Sequence, residues 1–585
     1  MRFAAWMLFS VWVAATGAET VQPPPDQAPA DQASTSKTPA DFPGEPAEPR
    51  FLDVTEAAGV DFRPHYSPEK RYILESVSGG VAMVDFDRDG RLDVYLVGSQ
   101  TVETARSGEA APSALYRNVT TPGGPIRFSA VDGAGGAADT GWGVGVCAGD
   151  VDGDGFPELY VTGVGGNHFF VNQDAGEGKR RFVDRAAAAG VAAGGWSTGC
   201  GFADADRDGD LDLFVARYLD IDLDNLPEFG RGDLCRYRGI PVQCGPRGLP
   251  GQGDLFFRNN GDGTFTETAA KVGLADPKRR FGLGVAWFDA DGDGWQDLYV
   301  ANDTMGNYLY LNRRDGSFEE MAFLFGAAVS EDGKEQGSMG IAVGDADRDG
   351  WLDLFVTNFS EEYNAFYRSH DGEYYSDASF PTRTAAPSVR HVGWGTTFFD
   401  ADNDGWLDLM LVNGHVYPQI DDIQLEASAP YRQRRMLFQN RGDGSFQEVR
   451  SGPLDELTVG RGLAVGDLDG DGRLDLVIRD LDGPAQVLRN QTPDAGHWLV
   501  VELEGRGKMR DAIGALITVH VGKARLVRPV RSGTSYLSQD ALRQHFGLGA
   551  ASRIEAVEVR WPDGSTSRHD GIAVDQRVTL LQPDP

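Results

Sequence analysis

Asp289-Ala-Asp-Gly-Asp-Gly-Trp-Gln-Asp297 is the stretch whose reading decides the fold. Carboxylates stand at positions 1, 3, 5 and 9, and Gly294 stands at position 6. Alternate aspartates followed by a sharp, glycine-permitted turn wrap oxygen donors around one hard cation, and the position-7 carbonyl adds another. An EF-hand loop begins in the same way but runs to a glutamate at position 12 between two helices. Here the loop closes at position 9 between two apolar, strand-like runs, Leu283-Gly-Val-Ala-Trp-Phe288 and Leu298-Tyr-Val-Ala301. The stretch therefore reads as a calcium-type loop at the turn of a β-hairpin.

The full metal-ligand set of this loop is Asp289, Asp291, Asp293 and Asp297. The pattern recurs as Asp85, Asp87, Asp89, Asp93; Asp150, Asp152, Asp154, Glu158; and Asp204, Asp206, Asp208, Asp212. It returns as Asp345, Asp347, Asp349, Asp353; Asp400, Asp402, Asp404, Asp408; and Asp467, Asp469, Asp471, Asp475. All seven copies carry glycine at position 6, and their first residues are 65, 54, 85, 56, 55 and 67 apart. A single acidic cluster is usually a solvated turn, whereas seven in register mark a repeat architecture. The second copy departs, with Pro157 and the longer Glu158 at its end, and is expected to hold its ion least well or with different coordination.

Around each loop the same unit recurs. A glycine-spaced apolar run such as Gly143-Val-Gly-Val-Cys-Ala-Gly149 precedes it, and an alternating run such as Leu211-Asp-Leu-Phe-Val-Ala216 follows. A third run ends in aromatic-x-Asn, as in Leu115-Tyr-Arg-Asn118, Leu309-Tyr-Leu-Asn312 and Leu437-Phe-Gln-Asn440; a fourth follows a glycine turn, as in Gly316-Ser-Phe-Glu-Glu320. Four short strands per unit are the pattern of a propeller blade. Blades one to six each have a fourth run, near Phe128, Phe182, Phe265, Phe318, Tyr375 and Phe446, while the seventh lacks one. An orphan run of that type, Phe51-Leu-Asp-Val-Thr-Glu56, opens the folded region. It is expected to complete blade seven by pairing near Ala485–Arg489.

Residues 1–18 read as a secretory leader: Arg2, an apolar core from Phe3 to Ala15, and the small residues Thr16-Gly-Ala18. Residues 19–50, rich in Pro, Ala, Asp and Gln, read as a disordered tether. The propeller then spans 51–494. Residues 495–585 form a β-rich domain, with alternating runs at Trp498–Leu503, Ala515–Val521, Ala524–Val530 and Val557–Trp561. Its His520 and His545 read as packed rather than ligating residues, and Arg528, Arg531 and Ser538-Gln539 as a polar recognition site.

Charge supports the metal reading. Fifty-four Lys and Arg against 88 Asp and Glu give a net charge of −34, and 28 of the carboxylates sit in the seven loops. Seven divalent ions would bring the net to about −20. Such acidity excludes nucleic acid and anionic membrane as partners, and no apolar run later than the leader reaches the ~18 residues of a membrane span.

The unit Gly-x-Gly-x-Ala…Asp-x-Asp-x-Asp-Gly-x-x-Asp resembles the FG-GAP/VCBS repeat, similar to the calcium-binding blades of integrin α-subunit propellers. Ala512-Ile-Gly-Ala515, Arg531-Ser-Gly533, Tyr536-Leu-Ser-Gln539, His545-Phe-Gly-Leu-Gly549 and Trp561-Pro-Asp-Gly564 resemble the ASPIC/UnbV domain. In this order the two halves resemble the cartilage-acidic-protein-like family across 51–585. The resemblance implies a secreted calcium-binding propeller with an adhesion or binding role.

The expected architecture is thus all-β: a seven-bladed β-propeller with integrin-like calcium loops, up to seven Ca2+, and a small sandwich-like or barrel-like β domain. The expected role is that of a secreted, periplasmic or extracellular binding or adhesion module for a protein or glycan, without membrane insertion. The alternatives are an extracellular polysaccharide lyase or hydrolase working on the loop face, and a structural scaffold of a surface complex.

Loops on the face opposite the metals carry the variable chemistry. They include the long insertion 218–253, the segments Asn302-Asp-Thr304, Asn358-Phe-Ser360 and Asn413-Gly-His-Val-Tyr417, and Trp142, Trp196, His391 and Trp394. Gly195-Trp-Ser-Thr-Gly199 fits a nucleophile motif but occupies the entry of an inner strand rather than a strand–turn–helix. Arg-Gly-Asp occurs at 231–233, within the insertion, and at 441–443, within a turn. Four cysteines in an exported chain are expected to pair as Cys235–Cys244 within the insertion and Cys147–Cys200 between neighbouring inner strands.

Overall fold

The position-9 carboxylate organises each repeat. It accepts from the position-2 amide of its own loop at 2.8–3.4 Å. It also accepts from the amide of the residue ending the third run, at 2.7–3.2 Å. One side chain thereby fixes the loop and sets the register of the strand two steps outward. In the computed structural model, which describes residues 47–423 and 429–584, this pattern recurs in all seven repeats. The leader read at 1–18 lies outside the described residues, as does the tether read at 19–50 up to residue 46.

The described residues are all-β, with helices limited to single turns and short 3-10 segments. Seven antiparallel four-stranded sheets follow one another along residues 51–490. Five take four consecutive strands; the inner-to-outer order in one is Gly282–Phe288, Asp297–Asn302, Tyr308–Asn312 and Phe318–Glu320. A sixth, Ser197–Ala203, Asp212–Arg217, Leu255–Asn259 and Phe265–Glu267, is interrupted by the small hairpin Arg236–Tyr237 and Ile240–Pro241 of the insertion. The remaining sheet joins Gly460–Gly466, Asp475–Asp480 and Gln486–Asn490 to the first strand of the chain, Phe51–Asp53. Phe51 pairs with Asn490, Leu52 with Arg489 and Asp53 with Leu488. The strand is three residues long rather than six, because a helical turn, Thr55–Ala58, begins directly after it. The innermost strands touch in sequence around the ring, and Gly460–Gly466 meets Val81–Val84 to close it. This is the arrangement of a propeller.

The aromatic-x-Asn signature has a structural cause. Asn118, Asn172, Asn312 and Asn440 each donate one N–H to the position-8 carbonyl of their own loop. The same amides donate to the position-2 carbonyl of the preceding loop: Leu468, Phe86, Ala205 and Ala346. Asn490 likewise reaches Ala401. These asparagines are buried stitches between successive blades, including the joint between last and first. Ser369 replaces the asparagine in blade five, and Asn259 bonds only its own loop.

Both cysteine pairings form. Cys147–Cys200 joins the inner strands of blades two and three, and Cys235–Cys244 staples the long insertion.

Beyond the ring, His497–Glu504 lies between Gln544–Gly549 and the parallel Gln576–Leu581. A second sheet orders Ala524–Pro529, Leu516–Val521, Ala556–Arg560 and Thr566–His569. Leu499, Val501 and Phe546 of the first sheet share a core with Ile517, Val519 and Val559 of the second, a two-layer sandwich. This β region sits on the metal-loop face. Arg543 pairs with Asp85 at 3.6 Å, Lys508 with Asp210 at 2.7 Å, and Arg560 with Asp289. The Gly549 amide donates to Asn403 O at 2.7 Å, and His545 Nε2 stands 3.0 Å from Gly472 O. Burial pushes His545 down to about 4, so the neutral imidazole is the donor there.

From this sandwich the segment 531–541 enters the middle of the ring. The amides of Met83, Val146 and Ile341, on three inner strands, donate to Gln539 O, Leu537 O and Ser535 O at 2.9–3.0 Å. Asp540 accepts from the Val465 amide at 2.9 Å. Inner-strand edges that would otherwise be unpaired are thus satisfied by the plug. Its close approach explains the glycine-spaced inner strands: a Cβ on Gly80 would stand 2.7 Å from Leu537 O, and one on Gly201 2.8 Å from Ser532 O. The reading of Arg528, Arg531 and Ser538-Gln539 as a recognition site is corrected here. Arg528, Ser538 and Gln539 are buried, and the Gln539 amide donates to Arg531 O at 3.2 Å within the plug.

Chains beginning at residue 49 and at residue 60 test the ring closure. The shorter chain loses Phe51–Asp53 and the Thr55 hydroxyl that accepts from the Val487 amide at 2.9 Å. It is expected to melt lower and aggregate more, since Gln486–Asn490 is left with an open edge. The chain from 49 is expected to keep the full-length Tm.

Candidate functional site

Two places gather chemistry, one on each face of the ring. On the first, the position-1 carboxylate of every loop accepts from the position-6 glycine amide at 2.7–3.2 Å. Those glycines have φ between 83° and 98°, a conformation that disfavours any residue with a Cβ. The position-5 carboxylate accepts from the position-7 amide at 2.7–3.0 Å in every loop. The backbone thus turns the acids inward.

Carboxylate oxygens gather within 4.8 Å of one another from Asp85, Asp87 and Asp93; from Asp150, Asp152 and Glu158; and from Asp289, Asp291 and Asp297. The groups Asp204, Asp206, Asp208 and Asp345, Asp347, Asp349 do the same. In the remaining two loops Asp400, Asp402, Asp408, Asp469 and Asp475 are buried. Glu158 keeps the position-9 role despite its length, accepting from the Val151 and Asn172 amides. Outer oxygens are met by arginines, as in Arg117–Asp87 at 2.6 Å and Arg314–Asp293 at 2.6 Å.

The inner oxygens are different. Asp87, Asp150, Asp206, Asp289, Asp345 and Asp469 each bury an Oδ1 with no hydrogen-bond partner among the described residues, while Asp469 Oδ2 is met by Arg489 at 2.6 Å. Burial pushes Asp93 and Asp345 up to about 8 and Asp467 to about 7, and neighbouring loop carboxylates add to the rise. An all-oxygen donor set with unpartnered, mutually repelling carboxylates fits a hard divalent cation, whose charge would reverse these shifts.

On the opposite face the loops between second and third strands surround a cavity of about 530 Å3. Tyr218, Asp303, Thr304, Phe359, Glu362, Trp394 and Tyr417 line it, together with residues 233–237 and 243–247 of the insertion. The insertion bridges the ring. Tyr237 Oη stands 3.2 Å from Ser360 Oγ and its ring 5.3 Å from that of Tyr417, and Arg238 pairs with Glu361. On the other side the Gln243 amide meets Ser76 Oγ. Trp394 stands on the floor, and Tyr536 of the plug packs 4.9 Å beneath it. The cavity is therefore closed from below.

Asp303 accepts from Tyr218 Oη at 2.6 Å, and Glu362 accepts from the Gly337 amide at 2.7 Å. Burial pushes Asp303 up to about 6, against the pull of the Tyr218 hydroxyl, and Glu362 up to about 7. Of the loop residues singled out from sequence, Asp303, Thr304, Phe359, Ser360, Tyr417 and Trp394 meet at the cavity. Asn302, Asn358 and Asn413 instead are buried and spend their amides on nearby carbonyls. Trp142 and Trp196 are buried, and His391 bonds Pro387 O at 3.1 Å. Ser197 Oγ accepts from Asn167 at 3.0 Å inside an inner strand, where it is fully buried. Tyr218, Tyr237 and Arg247 belong to the insertion 218–253 read from sequence as part of this face, whereas Glu362 carries no sequence signal and joins them only in the folded ring.

The FG-GAP-like repeat model matches residues 85–161, 150–215, 248–300, 289–356, 345–411 and 427–478. The ASPIC and UnbV model matches residues 505–585. The chain is 26% identical to cartilage acidic protein 1 of Homo sapiens over 551 residues, covering 88% of this chain and 73% of that protein. The Xenopus tropicalis protein of that name is 25% identical over 551 residues, covering 88% and 74%. Among solved structures, an Agrocybe aegerita lectin that recognises non-reducing terminal N-acetylglucosamine aligns with a TM-score of 0.36 and 17% identity, covering 65% of this chain and 88% of its own.

Removal of divalent cations with EDTA is expected to lower Tm by several degrees or more. A loop held at a hundredfold excess over its dissociation constant stabilises the native state by about 2.7 kcal/mol. Thermal unfolding of metal-stripped protein, with and without the ion restored, measures this.

Proposed function

This chain belongs to the FG-GAP-like repeat family and ends in an ASPIC and UnbV domain, and from that membership we propose an exported, calcium-stabilised seven-bladed propeller that acts as a binding module. Its calcium ligands are the carboxylates at positions 1, 3, 5 and 9 of the loops, one ion per blade. The loop face takes an extracellular protein or glycan. The observation that carries this reading is the difference between the two faces. The metal face is covered by the C-terminal sandwich, whereas the loop face holds a roofed, aromatic cavity of a size suited to a ligand group.

The domain division at 18, 50 and 494 belongs to the same proposal. Export is supported by the leader pattern and by two disulfides, which persist in oxidising compartments. Among the described residues no helix is long and apolar enough to cross a membrane. A second reading, an enzyme acting on extracellular polysaccharide, is favoured by one observation: Asp303 and Glu362 are carboxylates outside the metal loops with raised pKa values.

Glycan arrays and extracellular-protein pull-downs with calcium-loaded protein test the binding reading. Phe359→Ala and Tyr417→Ala, which remove cavity walls, are expected to lose the captured ligand while keeping Tm. Capture that is indifferent to both changes would place binding elsewhere. Release of new chain ends from a polysaccharide, abolished by Asp303→Asn, would favour the enzyme instead. Calcium is expected to restore the melting temperature of stripped protein better than magnesium, which demands tighter octahedral geometry.

A further inference from the structure

We propose that the loop-face cavity receives an organic cation, the ammonium or guanidinium group of a basic side chain or similar amine, held between Asp303 and Glu362. This rests on the reading of the loop face as the binding face and names the ligand chemistry of that site.

The two carboxylates come from different blades, Asp303 from the loop after Asp297–Asn302 and Glu362 from the loop after Asp353–Val356. They converge on one spot: a Cβ built on Gly337 would stand 3.2 Å from Asp303 Oδ1 and 3.7 Å from Glu362 Oε2. Tyr218 Oη donates to Asp303 and the Gly337 amide to Glu362, with the Phe359 amide also favouring the Glu362 carboxylate. The negative charge of Asp303 adds to the raised pKa of Glu362. Like charges held this close in a recess are costly unless a cation joins them.

No cation among the described residues bonds either carboxylate. Neither carboxylate forms an ion pair among the described residues, although their neighbour Glu361 is paired with Arg238. Arg247, on the cavity wall, influences both electrostatically but bonds neither. Arg461 lies under Trp394, 3.8 Å from its ring, and its donors go to the carbonyls of Ser76, Gly414, Gly460 and His415. The acidic pair is therefore open to an outside cation.

The walls suit the same guest. Tyr218, Phe359 and Tyr417 line the cavity, and aromatic faces attract ammonium and guanidinium groups. Thr304 Oγ1, also on the wall, and Tyr536 Oη, buried under Trp394, have no hydrogen-bond partner among the described residues. A neutral sugar would use the aromatic walls but would leave the two carboxylates without a bonded cation, eased only at longer range by Arg247.

The test uses the full calcium-loaded chain and three blocked amino acids: N-acetyl-lysine methylamide, N-acetyl-arginine methylamide and the uncharged N-acetyl-norleucine methylamide. N-acetylglucosamine is the neutral saccharide. Calorimetry or tryptophan fluorescence reads binding. A lysine or arginine probe is expected to bind at least tenfold tighter than norleucine or the sugar. Asp303→Asn and Glu362→Gln are each expected to weaken it at least tenfold with Tm unchanged. Norleucine or sugar binding as tightly as the cations, or full affinity in both variants, overturns the proposal. If amines fail while a captured protein or glycan still depends on Phe359 and Tyr417, the cation assignment falls and the binding module stands. If nothing depends on those residues, both fall.

Discussion

The position-9 carboxylate in every blade, and the asparagine opposite it in five of the seven, tie the ring together. The carboxylate ties the metal loop to the end of the third strand, and the asparagine ties that strand end to the loop of the preceding blade. Both are buried, so each missing hydrogen bond would leave an unsatisfied polar group costing about 1–3 kcal/mol. Because the stitch ends on a metal loop, the geometry that gathers carboxylates is also the geometry that joins blades. A cation in one loop would stiffen the joint to the next.

This coupling explains why the two faces differ. The metal face is rich in carboxylates and is covered by a sandwich whose arginines and lysine meet it. From that cover the 531–541 plug runs up the axis and pairs with inner strands of blades one, two and five. The end of the plug supports the floor of the cavity on the far face through Tyr536 and Trp394. Metal loops, sandwich, plug and cavity thus form one continuous stack. Loosening the loops is expected to reach the cavity through the plug.

Much of this was legible in the sequence because it is local and repeated. The Asp and Gly spacing sets a loop within nine residues, and seven copies leave little freedom in how the blades are cut. The orphan run at Phe51 was readable as the missing strand by counting, although the helical turn at Thr55 shortened it. The plug was not readable. Arg531–Gln539 reads as polar and glycine-containing, which suggests a surface, and only the folded ring shows that its polar groups meet inner-strand amides. The acidic pair was half readable: Asp303 lies in a singled-out loop, whereas Glu362 follows an ordinary turn and meets it only across two blades. Contacts between distant loops leave no period in a sequence.

The acidic loops sit at the joints between successive blades, so their occupancy and the integrity of the ring are tested together. Equilibrium dialysis of the purified chain against calcium, followed by elemental analysis, counts the ions directly. The expected stoichiometry approaches seven calcium ions per chain, reduced by one when the carboxylates of a single loop are changed to amides. A chain that retains no calcium, yet melts as a single stable unit, would contradict it.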